Sequence, residues 1–355
     1  MDKELTAIRR TLGHLSMDWQ PSLWLDTGVP ELNMVIGHRT KGIPFGRIIE
    51  MSGLPSHGKT AISMAIAALA QHMKKAPVIW GDLENSFECD WALQRGMVTY
   101  PNCKGTERGA KSKSCVDCGN PKIKCAYCTG AGCPECFDTG EERGRGLDPS
   151  LLMLVQPYVG QFEESVKDNF GNKKKRISEP RLSTGTELCS EIEQCANAIH
   201  KRHDCMVIVV DSLASILTDD EAAAGIEGQN MKTSMSLPVF LGKLFRRWVG
   251  LAQSYNALIL TTNQLRQSPN VKFGSPWYSP GGNAVPFYSH IRTRVMRTAG
   301  SKIVNKGKTV GIKGVMTAVK NKTGGLEGSE VGYRIMFDGS IEFVNAKEVK
   351  KKEGE

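Results

Sequence analysis

The chain has 355 residues, 40% hydrophobic and 23% charged, a balance that excludes a disordered or fibrous protein and suits one large core with small appended modules. No run approaches about 18 consecutive apolar residues. The opening MDKELTAIRRTLGHL lacks the apolar stretch of a secretory leader, so a cytoplasmic protein with no membrane span is expected. In that reducing compartment 11 cysteines point to thiols and metal ligands instead of disulfides, and a formal charge of +9 points to a polyanionic partner.

In chain order, Leu5, Ile8, Leu12 and Leu15 first form an apolar stripe at helical spacing. RIIEMS (47–52) reads as a strand and KTAISMAIAALAQHM (59–73) as a helix. APVIWGD (76–82) and LLMLVQP (151–157) read as strands, and a helix is expected over 186–201. CMVIVVD (205–211), a helix over 238–254 and the strand ALILTTN (257–263) follow. Nearly unbroken apolar strands alternating with helices predict an α/β core, a mostly parallel twisted sheet flanked by helices. Two stretches break the rhythm. Residues 97–148 are Gly- and Cys-rich without helical or strand period, and 160–183, with NKKKR, look like a charged surface excursion. The tail 346–355 is charged and expected to be solvated.

Gly53, Leu54, Pro55, Ser56, His57, Gly58, Lys59 and Thr60 spell the phosphate-binding pattern G-x-x-x-x-G-K-[ST] between a predicted strand and a predicted helix. The glycines let backbone amides converge on phosphate oxygens, and the helix contributes its positive end. Lys59 would reach the β- and γ-phosphates of ATP, and the Thr60 hydroxyl would ligate Mg2+. Asp211, at the tip of an apolar strand, is the second expected magnesium contact. Glu84, in GDLENSF, is a candidate to polarise the attacking water, and Asp82 competes for that role.

Together with DLENSF, VIVVDSLASIL, TTNQLR, FGSPWYSPGGNAVPFY and VKNK, these residues resemble, in order and spacing, the RecA-type DNA recombinases of bacteria and phages. The likeness covers about 30–345 once the two interruptions are removed. It implies an N-terminal segment (1–29) that docks on the next subunit and an ATPase core over 30–96 and 149–345, with the basic insertion 160–183. Residues 97–148 would be an inserted module, and with little chain past Asn345 no counterpart of the bacterial C-terminal domain is expected. The resemblance also implies roles by position. Glu84 would be the catalytic glutamate, Glu88 the acidic residue near the adenine, and Gln264 the sensor of the γ-phosphate. Lys320 and Lys322 would reach the neighbouring subunit's ATP site, where they supply the charge that an arginine finger supplies elsewhere, and Phe287 would sit at the subunit interface.

Residues 218–234 and 265–283 match the family's two DNA loops. In the second, Arg266 and Lys272 offer phosphate neutralisation, Phe273, Trp277 and Tyr278 offer wedges against bases, and Gly281, Gly282 and Asn283 complete the loop with backbone freedom and amide donors. The first opens on Asp219, Asp220 and Glu221, less basic than a phosphate contact would suggest.

Cys115 with Cys118, Cys125 with Cys128, and Cys133 with Cys136 form three Cys-x-x-Cys knuckles that resemble the repeats of DnaJ-type chaperones. Four of these thiolates complete one structural Zn2+ site. The six fall two short of a second, for which Cys103 is a further ligand candidate. The surrounding Lys104, Arg108, Lys111, Lys113, Lys122 and Lys124 suit a DNA or partner contact, and a purely structural knob is an equal alternative.

The reading is therefore an ATP-dependent recombinase that forms filaments on single-stranded DNA and pairs it with double-stranded DNA, with itself and single-strand-binding or loader proteins as partners. Its rivals are a RadA/Sms-like hexameric translocase and a RecA-like mediator that performs no exchange. The internal position of the Cys-rich module and the PGGNAVPFY stretch favour the recombinase.

Overall fold

The computed structural model describes residues 21–87, 98–99, 147–159, 163–167, 173–177, 181–225, 228, 231–268 and 276–350. The predicted N-terminal stripe, Glu88, Lys272, Phe273 and every Cys-rich knuckle lie outside the described residues.

Ten strands form one sheet: β1 (Ile48–Gly53), β2 (Val78–Asp82), β3 (Val98–Thr99), β4 (Leu152–Val155), β5 (Met206–Asp211), β6 (Ala257–Gln264), β7 (Ile291–Asn305), β8 (Lys308–Asn321), β9 (Glu330–Met336) and β10 (Ile341–Val344). Their order across the sheet is β3-β10-β9-β8-β7-β1-β6-β5-β2-β4. The middle strands are buried along nearly their whole length because both faces are covered. On one face pack α1 (Pro30–Ile36) and α2 (Lys59–Lys74), around Leu32, Ile62, Ile66, Trp80 and Phe343. On the other lie α3 (Gly185–His200) and α4 (Asp219–Ala224) with the long α5 (Met231–Ser254), around Ile192, Phe245 and Trp248. A fully buried Trp or Phe of this kind is worth about 3–5 kcal/mol against Ala.

The parallel pairing sets the functional edge. Gln264 registers beside Gly53, and Asp211 beside Asp82, so the C-terminal ends of four neighbouring strands open at one place.

The sheet is mostly parallel, as expected, and β7 to β10 add an antiparallel meander that was not foreseen. Their alternating burial and tight turns, such as Lys306 and Gly307 at positive φ, carry a period-two signal that apolar runs overshadow. Val98–Thr99, in a stretch read as lacking a strand, pairs with Ile341–Glu342 at the sheet edge. Within and beside the excursion 160–183, read as lacking regular structure, Glu163–Lys167 pairs with Lys173–Ile177 and Tyr158–Val159 with Arg181–Leu182. Helix α5 begins at Met231, seven residues before the expected 238, and runs through Pro238. The acidic opening of the first predicted DNA loop belongs to α4. Asp219, Asp220 and Glu221 fill its first turn, where carboxylates favour the helix dipole, and Thr218 with Glu221 makes a capping box.

Candidate nucleotide site and nucleic-acid interface

The loop from Gly53 to Thr60 links β1 to α2 and is held from outside itself. The Tyr333 hydroxyl donates to the His57 carbonyl at 2.7 Å, and the Arg297 amide donates to His57 Nδ1 at 3.2 Å. Gly58 sits at φ 92 with no room for a side chain, since a Cβ there would meet Ile335 Cδ1 at 2.4 Å. A Cβ on Gly53 would meet the Val295 carbonyl oxygen at 2.5 Å. Both glycines are therefore dictated by close packing against the antiparallel strands as well as by phosphate access.

Lys59 folds back and donates to the carbonyls of Gly53 at 3.1 Å and Leu54 at 3.0 Å. Burial pushes its pKa down, while Asp211 and Glu84 pull it up. The Thr60 hydroxyl donates to Asp211 Oδ2 at 2.6 Å, and the Thr262 hydroxyl donates to Oδ1. Burial raises the Asp211 carboxyl pKa, and these two hydroxyls oppose the rise. A carboxylate and a hydroxyl converging at the tip of a phosphate loop form a hard-oxygen donor set that fits Mg2+, which takes one or two protein oxygens and completes its shell with phosphate and water.

The geometry separates Glu84 from Asp82. Asp82 accepts the amides of Ser86 at 3.0 Å and Phe87 at 2.9 Å and the Gln156 side chain at 3.2 Å, so it ties down the turn that carries Glu84. Glu84 Oε1 instead accepts Ser212 Oγ at 2.6 Å and lies 3.5 Å from Gln264 Nε2, facing the open edge.

Behind this edge lies a second polar node absent from the sequence-based candidates. Glu50, in the middle of β1, is 0% exposed. It accepts Arg292 Nε at 2.5 Å and Asn263 Nδ2 at 3.1 Å. Arg292 also donates to Ser279 Oγ at 3.1 Å, and Asn263 to the Pro280 carbonyl at 3.1 Å. The signal was present: a carboxylate inside an apolar strand must find a partner.

The second predicted DNA loop leaves the sheet as a two-stranded stem, Arg266 opposite Tyr278 and Gln267 opposite Trp277. Arg266 is exposed, Trp277 half-buried, and Tyr278 49% exposed. Gly281 and Gly282, at φ 103 and 67, press against Leu241 and Pro238 of α5, so their lack of side chains serves packing as well as backbone freedom. Asn283 then starts α6 (Ala284–Tyr288), which holds Phe287 71% exposed. Lys320 closes the end of that helix, donating to the carbonyls of Pro286 at 2.5 Å, Ser289 at 2.7 Å and Phe287 at 3.1 Å. Burial, then the neighbouring Lys322, pushes the Lys320 pKa down. The Lys322 amide donates to His290 O at 3.1 Å. Among the described residues no group of three or more His, Cys, Asp or Glu is gathered as a metal site, and no helix is long and apolar enough to cross a membrane.

Residues 183–342 match the family profile described as the RecA N-terminal domain. The chain is similar to RecA proteins over that stretch and beyond it. It is 24% identical over 299 residues to a protein named RecA from Ruminococcus albus, and 25% identical over 300 residues to one from Geobacter sulfurreducens. Each alignment covers 84% of this chain but only 53% and 62% of the respective relative, so the chain spans little more than half the length of these relatives. The profile match begins after the phosphate loop, just past Arg181–Leu182, and takes in Asp211, Gln264, the second loop and most of the meander.

Breaking the Glu50–Arg292 pair from one side leaves a buried charge unpaired, an effect of about 3–5 kcal/mol. Urea unfolding is expected to place Arg292→Met that far below wild type and the double variant Glu50→Met/Arg292→Met much closer to it. Equal losses in the single and double variants would contradict this account of the node.

Proposed function

We propose that this chain is a RecA-type, DNA-dependent ATPase that assembles on single-stranded DNA as a filament and pairs it with homologous duplex. The observation that carries the reading is the meeting of Glu84 and Gln264, 3.5 Å apart, at the edge where the phosphate loop ends and the second DNA loop begins.

The residues divide the work. The 53–60 amides cradle the phosphates, and Lys59 exchanges its two carbonyl partners for phosphate oxygens. Thr60 and Asp211 hold magnesium, which, when bound, neutralises charge on the phosphates. Glu84 accepts hydrogen bonds from Ser212 and Gln264 and is placed to orient a water and take its proton. Gln264 amide rotation toward a terminal phosphate would pull on Leu265 and Arg266, the first residues of the DNA-binding stem. Arg266 neutralises backbone phosphate, and Tyr278 and Trp277 offer rings to bases. Lys322 and the exposed Phe287 fit a neighbouring subunit. Lys320 would join Lys322 at that subunit's nucleotide only by giving up the three carbonyls it now holds.

For the Cys-rich module we propose one Zn2+ held by four of the knuckle thiolates, with a structural role. Metal analysis is expected to find about one zinc per chain, lost when all six knuckle cysteines are replaced by serine. A metal-free wild type would reject the site.

Removing the Glu84 carboxylate with Glu84→Gln is expected to lower DNA-stimulated ATP turnover by about 10²-fold or more while ATP still binds. Turnover within a few-fold of wild type would reject Glu84 as the base. Electron microscopy of wild type with ATP and single-stranded DNA is expected to show extended filaments, where closed rings would favour a translocase.

A further inference from the structure

Strands β7 and β8 form a hairpin longer than the sheet that supports it. Pairing of β7 with β1 stops at Val295 opposite Gly53, and pairing of β8 with β9 begins only at Gly311 opposite Met336. On the β8 side the hairpin end therefore projects about 10 Å past its last pairing with β9 at strand rise, and farther past β1 on the β7 side. Because β7 runs parallel to β1, the overhang leaves the sheet at the edge where the phosphate loop starts. Both predicted DNA loops start at that edge too, after Asp211 and Gln264.

The hairpin is charged with one sign. From Ile291 to Lys322 the chain has nine cations, Arg292, Arg294, Arg297, Lys302, Lys306, Lys308, Lys313, Lys320 and Lys322, and no carboxylate. Arg292 and Lys320 are engaged below the overhang by Glu50 and by carbonyls. Lys302, Lys306 and Lys308 lie at the exposed tip, and among the described residues none of the three takes part in an ion pair. The nearest turn, tied to the hairpin by the Phe337 amide donating to the Val310 carbonyl, carries Asp338, whose Oδ1 accepts the amide and hydroxyl of Ser340. The backbone fixes the display. Lys306 and Gly307, both at positive φ, make the tight turn, so Lys302 and Lys308 sit on paired strands, not on a loose loop.

We propose that this hairpin tip is a DNA phosphate contact distinct from the two loops, with Lys302, Lys306 and Lys308 as its cations. Compact ammonium groups on flexible stems neutralise phosphates without reading bases, and three like charges at one tip repel one another until a polyanion arrives. Its place at the edge shared by both loops lets one nucleic acid reach loops and tip together. The inference rests on the DNA-binding reading above and is separable from it.

The test is the salt dependence of binding to a single-stranded oligonucleotide and to a duplex, for wild type and for Lys302→Ala/Lys306→Ala/Lys308→Ala. Each lost phosphate contact lowers the log–log slope by about 0.7 for single strands or about 0.9 for duplex, so a drop of roughly 2 units is expected for the strand that the tip holds. The replacement with three arginines should keep the wild-type slope. Thermal melting and ATP affinity of the alanine variant should match wild type, since the tip is exposed and lies beyond the phosphate loop's own contacts. Unchanged slopes on both DNAs, with wild type binding normally, would overturn the tip and leave the wider function standing. Loss of ATP affinity with unchanged slopes would also overturn it, assigning the lysines to the triphosphate. Wild type that binds neither DNA would reject the function itself and the tip with it.

Discussion

The rest of the site depends on one buried carboxylate. Asp211 ends an inner strand of a sheet whose faces are both covered, and there an unpartnered charge would be costly. Two hydroxyls answer it, Thr60 from the first turn of α2 and Thr262 from β6. This joins the phosphate loop, β5 and β6 at one oxygen pair, and the parallel register then leaves Gln264 beside Gly53 without further instruction. Ser212, the next residue, carries the link to Glu84. The nucleotide site is thus a consequence of how a single acid is satisfied at a strand end.

The second node links β1 to the second predicted DNA loop. Glu50 lies three residues before Gly53 on β1, yet its partners Arg292 and Asn263 hold Ser279 and Pro280, the returning end of the second loop. One end of that loop departs from Gln264 beside Glu84, and the other is pinned to the strand that supplies the phosphate loop. Hydrogen bonds between strands thus connect both ends of the loop, the kind of contiguous link that coupling between nucleotide and DNA would use.

Much of this was legible in the sequence where chemistry demands particular residues at particular spacing. The phosphate loop, Asp211 at its strand tip and the apolar middle strands were visible because few other patterns satisfy those constraints. The residues alone left Asp82 as a rival to Glu84, which the resemblance favoured, and the fold adds that Asp82 is occupied by the amides of Ser86 and Phe87. The antiparallel meander was missed because its strands alternate in burial, and the early start of α5 because Pro238 reads as a helix entrance. Acidity after Thr218 was puzzling as DNA-loop chemistry and is ordinary as the first turn of a capped helix. Glu50 went unremarked because strand periodicity notes that a position is buried without asking what answers its charge. Lys320 was expected to face outward, and the carbonyls it closes off come from a short helix that sequence alone does not reveal.

The central claim is that the phosphate loop controls the grip on DNA through Gln264. The direct measurement is single-stranded DNA affinity with and without ATP and magnesium, for wild type and for Gln264→Ala. The account predicts that nucleotide tightens wild-type binding at least 10-fold, a coupling of about 1.4 kcal/mol, and that the variant binds ATP normally with one DNA affinity in both conditions. A variant that keeps the full nucleotide-dependent tightening would contradict it.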